Sequence, residues 1–326
     1  MLYGDVPGVG KPVSRLLLGT MIISTGEQER SFALLDAAFE RGWNALDCAH
    51  VYGGGASERA IGQWMEARGN RERMVILTKG AHPNADRQRV TPYDITSDLE
   101  DSLARLRTSY IDIYVLHRDN PALPVGPIGE ILNEHHRAGK IRAFGGSNWT
   151  HQRIQEANDY AQAHGLVPFT ASSPHFSLAE TVESPWGPGC VAVSGPRECE
   201  ARAWYARTGM PLFAYSSLAR GLFSGRVTRE NYREAADSAC QRAYCHEVNF
   251  RRLDRVRELA ERKGLTVPQV ALAYVLSQPL NIFALTGAAS VEEIQECTDA
   301  VDVKLSPEEL AWLNLESDAL PVSSKV

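Results

Sequence analysis

The sequence predicts an α/β fold: a single (β/α)8 TIM barrel with additional C-terminal helices and a long loop after the sixth strand, one domain over residues 1–326. Three observations carry that expectation. Short apolar runs alternate with longer amphipathic segments, the pattern of βαβ units around a parallel sheet. Eight such runs can be counted, the number that closes a barrel. No strand leads into a helix through G-x-G-x-x-G, so a separate doubly wound cofactor domain has no local support.

The strands are expected at 14–20 (SRLLLGT), 44–49 (NALDCA), 74–79 (MVILTK), 111–117 (IDIYVLH), 141–147 (IRAFGGS), 169–173 (FTASS), 211–216 (PLFAYS) and 281–287 (NIFALTG). Helices fit the gaps. Over 28–41 the spacing gathers Phe32, Leu35, Ala38 and Phe39 on one face, and over 94–107 it gathers Ile95, Leu99, Leu103 and Leu106. A helix over 57–68 starts at Ser57 and Glu58 and stops before Gly69. Further helices are expected at 126–138, 150–164, 196–208, 250–263, 266–278, 290–300 and 306–317, with Pro268 and Pro307 in first turns, where a missing N–H costs little. Residues 177–198 (SLAETVESPWGPGCVAVSGPRE) break the rhythm. A loop this long is either a functional lid, with Trp186 as a wall for substrate, or a surface Ω-loop packed on itself.

Composition narrows the function. The 326 residues carry a net charge of −6, against the concentrated basic footprint of a nucleic-acid binder. The basic clusters NRER and NFRRLDRVR are interleaved with acidic or apolar residues and read as solvated helix faces. No apolar run approaches the roughly 20 residues that span a bilayer, and the first residues do not read as an export signal. Cys48, Cys190, Cys199, Cys240, Cys245 and Cys297 show no C-x-x-C pair, so free thiols in the cytoplasm are expected and no metal.

Four polar residues stand at strand ends. Asp47 closes NALD, Lys79 closes MVILTK, His117 closes IDIYVLH, and Tyr52 follows Asp47 on a Gly-rich loop. In a parallel barrel the carboxyl ends of the strands hold the active site. A hydride arriving at a carbonyl carbon leaves charge on oxygen, so the chemistry needs a proton donor and a polarising partner. Tyr52 is the expected donor, its phenol pKa lowered by the Lys79 ammonium, with Asp47 fixing Lys79 and His117 orienting the carbonyl. Singly, each has a duller explanation: an ion pair, a core histidine or a loop aromatic.

The run LDCAHVYGGGASERAIGQWM (46–65) closely resembles the signature of the aldo-keto reductases, D-x-A-x-x-Y-G-x-G-x-S-E-x-x-x-G, through Asp47, Ala49, Tyr52, Gly53, Gly55, Ser57, Glu58 and Gly62. Lys79, His117 in LHRDNP, AGKIRAFGGSN, FAYSSLARGLFSG and LTGAASVEEIQEC follow in the family's order across nearly the whole chain. The resemblance implies an NAD(P)(H)-dependent oxidoreductase acting on an aldehyde, ketone or sugar-derived carbonyl or its alcohol. It also implies a cofactor site: Gly19, Thr20, Met21 and Asp47; Ser147 and Asn148 on the carboxamide; Tyr215 on the ring; Ser216, Leu218 and Arg220 at the pyrophosphate; Gly287, Ser290, Glu293, Glu296 and Cys297 at the adenosine. Arg220 also reads as a surface charge and Ser290 as an ordinary helix cap.

Three departures stand out: Ser173 replaces the usual glutamine at the carboxamide, Thr286 a proline, and Cys297 an asparagine. Residues 286–297 contain no lysine or arginine for a 2′-phosphate, so NADP(H) and NAD(H) both stand as the cofactor. His50, Arg118, Trp149, Trp186, His175 and Phe176 are candidates to line the substrate pocket, beside Tyr52 and His117. The expected partner is a small carbonyl or alcohol, with a homo-oligomer possible. Two other classes remain: a non-catalytic cofactor-binding regulator, since the resemblance extends to potassium-channel β-subunits, and a barrel hydrolase or metal-dependent lyase. The second would need paired strand-end carboxylates or a His/Asp ligand cluster, and neither is found.

Overall fold

The computed structural model of the chain describes residues 1–318. An antiparallel hairpin, β1 (Tyr3–Gly4) with β2 (Val13–Ser14), precedes eight strands: β3 (Leu16–Gly19), β4 (Ala45–Asp47), β5 (Val75–Gly80), β6 (Ile111–Leu116), β7 (Ile141–Ser147), β8 (Ala171–Ser173), β9 (Leu212–Ala214) and β10 (Ile282–Thr286). Each barrel strand pairs in parallel with its neighbours, and β10 returns to β3 to close a (β/α)8 TIM barrel. All eight expected strands are present. The hairpin was not expected, because two-residue strands show no alternation to read.

Helices α1 (Gln28–Glu40), α2 (Ala56–Arg68), α3 (Pro92–Leu106), α4 (Val125–Arg137), α5 (His151–Ala163), α6 (Cys199–Thr208), α7 (Tyr232–Ala235), α8 (Ser238–Tyr244), α9 (Glu247–Lys263), α10 (Val267–Leu276), α11 (Val291–Asp299) and α12 (Pro307–Leu313) accompany the barrel. The short α7 and α8 were not anticipated. On α1 the buried face is rotated from the expected one: Leu34 and Ala37 join Leu35 and Ala38, while Phe32 and Phe39 are only partly buried. On α3 the expected face is buried throughout. Ser57 does not cap α2: the helix starts one residue earlier, after Gly55 at φ 89°, and the Ser57 hydroxyl donates instead to the Thr20 carbonyl at 2.9 Å. Residues 319–326 of the expected domain lie outside the described residues.

Strand alternation creates two apolar clusters. Leu16, Leu18, Leu46, Ile76, Tyr114 and Leu116 point outward to the helices. Leu17, Ala45, Val75, Leu77, Ile113, Val115, Phe213 and Phe283 point inward, and Val6, Val9 and Val13 of the hairpin segment belong to that inner cluster. Two-residue steps along the inner rank run from Ala45 to Asp47, from Val75 through Leu77 to Lys79, and from Ile113 through Val115 to His117. The alternation that fills the barrel therefore sets three polar side chains at its carboxyl-end mouth.

Candidate active site

At that mouth lies a cavity of about 670 Å³ lined by Asp47, Tyr52, Lys79 and His117, among others. Lys79 Nζ sits 2.6 Å from Asp47 Oδ1 and donates to the Cys48 carbonyl at 2.9 Å and to Tyr52 Oη at 3.1 Å. Of the ammonium's three N–H donors these two hydrogen bonds use two, and the Asp47 carboxylate faces it as an ion pair. Burial acts to lower the Lys79 pKa, but the charges of Asp47 and Tyr52 outweigh it and hold the amine protonated. For Tyr52 burial dominates: its phenol is raised above the ordinary value, with Lys79 pulling the other way. The expected lowering is thus present as a component and is outweighed.

His117 lies edge-on to the Tyr52 ring, centroids 5.9 Å apart. Burial, reinforced by Lys79, His82 and Arg118, drops its pKa well below the ordinary imidazole value, so the ring is neutral. His82, which sequence reasoning missed, stands edge-on to His117 at 4.7 Å. Its Nδ1 is 2.7 Å from the Pro83 carbonyl, which can only accept, so Nδ1 carries the proton. Its only sequence signal is a polar ring three residues past Lys79.

The loop carrying Tyr52 is braced from behind. Glu58, fully buried, accepts from Thr78 Oγ1 at 2.7 Å and pairs with Arg105 at 3.3 Å, and Arg105 also holds the His50 carbonyl. His50 itself turns away from the cavity, its Nε2 3.1 Å from Asp101. Trp149 is fully buried against Phe169 and donates to the Arg118 carbonyl; it does not line the cavity. His175 lies behind Tyr215, bound to Tyr244 and Thr181, and Phe176 packs on Tyr274.

Arg118 and Trp186 do line the cavity. From residues 177–198, Trp186 and Cys190 reach the cavity: Arg118 Nη2 donates to the Trp186 carbonyl at 3.3 Å, and the indole donates to Ser216 Oγ at 3.2 Å. Arg220 stacks on the Trp186 ring at 3.9 Å and pairs with Asp237.

Of the residues expected at a cofactor, Gly19, Met21, Ser147, Asn148, Tyr215, Ser216, Leu218, Arg220, Gly287, Glu293, Glu296 and Cys297 line the same cavity. Thr20 does not line it, its hydroxyl donating to the Asp47 carbonyl at 2.9 Å, and Ser290 caps α11. The Asn148 amide is committed within the protein, donating to the His117 carbonyl and accepting from Tyr215 at 2.7 Å. Two atoms on this lining, Arg220 Nη1 and Thr286 Oγ1, are buried without a partner; Ser173, whose Oγ is likewise unpartnered, does not line the cavity. Asn148, Ser216 and Arg220 also hold φ of 61°, 55° and 51° although none is glycine. Unused donors and costly backbone among the lining residues fit a site built for a polar ligand. Arg226, also missed, lines the cavity 2.9 Å from Glu293 and so sets a cation beside 286–297, which has none.

A closed parallel barrel with an ammonium, a phenol, a carboxylate and an imidazole at its carboxyl-end mouth has the form of a barrel oxidoreductase. The aldo/keto reductase family model matches residues 15–314. The chain is 29% identical to the oxidoreductase YrpG of Bacillus subtilis, covering 96% of this chain and 95% of that one. It is 30% identical to an aryl-alcohol dehydrogenase [NADP(+)] of Phanerodontia chrysosporium, over 94% and 83%. An aldo/keto reductase from Klebsiella pneumoniae, solved with NADP and acetate, superposes with a TM-score of 0.70 at 25% identity, over 95% of this chain and 93% of that one. The chain belongs to the aldo/keto reductase family and is an NAD(P)-dependent carbonyl-reducing enzyme.

Proposed function

We propose that the protein interconverts aldehydes or ketones and their alcohols with Tyr52 as general acid and base. One observation carries the reading. Because the protonated Lys79 donates to the Cys48 carbonyl and to Tyr52, the Tyr52 oxygen accepts from Lys79 and its own proton is free for the cavity. Lys79 stabilises the phenolate left after proton transfer, Asp47 fixes Lys79, and neutral His117 donates one N–H toward the carbonyl oxygen. Nicotinamide, when bound, supplies or accepts the hydride. Tyr215 would offer its ring a wall, Ser147 and Ser173 would serve the carboxamide, and Ser216, Leu218, Arg220, Gly287, Glu293, Glu296 and Cys297 the remainder of the dinucleotide.

Arg226 is already engaged by Glu293, so a 2′-phosphate would compete for it, and weak discrimination between NADP(H) and NAD(H) follows. No helix among the described residues is long and apolar enough to cross a membrane. With six unpaired cysteines, a cytoplasmic location is part of the proposal. The test is cofactor titration by tryptophan fluorescence together with turnover of Tyr52→Phe on an aldehyde panel.

A further inference from the structure

We propose that the cavity takes carbonyl compounds bearing a carboxylate, which the Arg118 guanidinium binds; the proposal rests on the reductase reading above and names its substrate class. Arg118 follows His117 directly in the chain, is 9% exposed, and lines the cavity that holds Tyr52 and Lys79. Nη1 donates to the His117 carbonyl at 3.0 Å and Nη2 to the Trp186 carbonyl at 3.3 Å. A guanidinium carries five N–H donors, so these two bonds leave a fork's worth for a ligand.

The other cations of the cavity each have a carboxylate: Lys79 has Asp47 at 2.6 Å, Arg220 has Asp237 at 2.9 Å, and Arg226 has Glu293 at 2.9 Å. Among the described residues no ion pair involves Arg118. The nearest acid in sequence, Asp119, is taken by Arg153 at 3.3 Å. His82 and His117 are neutral, chiefly through burial, and add no charge. The exposed lip contributed by Met21, Ile22 and Val51 is apolar.

A buried charge without a counter-ion is unfavourable, and a neutral amide could tie the β6 end to the 177–198 loop equally well. A guanidinium here therefore fits an anion that arrives with the ligand. One planar fork matches a carboxylate through two parallel N–H···O bonds. A dianionic phosphate would call for a second cation, and every other cation in the cavity is already paired. The carboxylate takes no part in bond making; it holds the oxo acid while the carbonyl group faces Tyr52.

The test compares kcat/KM for 4-oxobutanoate and 4-formylbenzoate with the values for their methyl esters, in wild type, Arg118→Gln and Arg118→Lys. Titration with NADPH and NADH by tryptophan fluorescence runs on the same samples. Wild type should prefer at least one free acid by about ten-fold or more; Arg118→Gln should collapse that ratio, and Arg118→Lys, keeping the charge but not the fork, should lower it part-way. Should Arg118→Gln not bind cofactor, the Arg118→Lys ratio decides. A wild-type ratio near one, or a ratio that no substitution moves, overturns this proposal alone. Cofactor binding without turnover of acids or esters overturns the reductase reading and this proposal with it.

Discussion

Lys79 Nζ lies 3.1 Å from Tyr52 Oη while holding Asp47 at 2.6 Å, so one buried ammonium joins the phenol to the carboxylate. The Lys79–Asp47 pair is structural as well as part of the proposed chemistry, because neither charge sees bulk water.

Lys79→Met should therefore fail twice. Leaving Asp47 buried and unpaired costs about 3–5 kcal/mol, read as a lower denaturation midpoint. Losing the group that stabilises phenolate should cut turnover about 10²-fold or more. Adding Asp47→Leu should recover most of the midpoint and none of the turnover. A single variant with unchanged stability would show that the pair is not buried as described.

The pH profile follows from two directions. Burial raises the Tyr52 phenol above its ordinary value near 10, so it stays protonated through the neutral range. Carbonyl reduction, which needs the neutral phenol, should be flat from about pH 6 to 8, whereas alcohol oxidation, which needs phenolate, should climb with pH. His117 is depressed, so neither direction should show an inflection near 6.5. Single-turnover hydride transfer in both directions reads this, and an inflection near 6.5 would contradict a neutral His117.

At the adenosine end, Arg226→Ala should weaken NADPH binding about three- to ten-fold relative to NADH, the scale of a solvent-screened charge pair. Glu293→Gln, by releasing Arg226, should shift the ratio the opposite way. Paired fluorescence titrations measure both, and equal changes for the two cofactors would remove Arg226 from phosphate recognition.

Gly62 lies where α2 crosses the end of α3, and a Cβ there would meet the Arg105 carbonyl at 2.4 Å. In an exposed helix Gly→Ala stabilises by about 1 kcal/mol; here overpacking should destabilise by about 1–3 kcal/mol and draw Arg105 from Glu58. A stabilised Gly62→Ala, by thermal melt, would contradict the close crossing.

Much of this was legible in the chain, for a physical reason. Alternation along each strand is strict, so apolar runs ending in Asp47, Lys79 and His117 announce both the strand and which end is polar. Loop residues have no such period. His50 and Trp149 sit beside site residues in sequence yet turn to Asp101 and Phe169, and nothing local sets that direction. Arg226 was hidden for the converse reason: it meets Glu293 only through the tertiary fold. The acidity of Tyr52 was misjudged because a neighbouring lysine can be named from sequence, whereas the depth of burial that outweighs it cannot.

The central claim, that Tyr52 delivers and receives the proton, is tested most directly by Tyr52→Phe with cofactor affinity and hydride transfer measured on the same sample. The account predicts affinity for NADPH or NADH within about two-fold of wild type and turnover reduced by about 10²–10⁴-fold. Turnover within a few-fold of wild type, with cofactor bound, would contradict it and move the proton to another group.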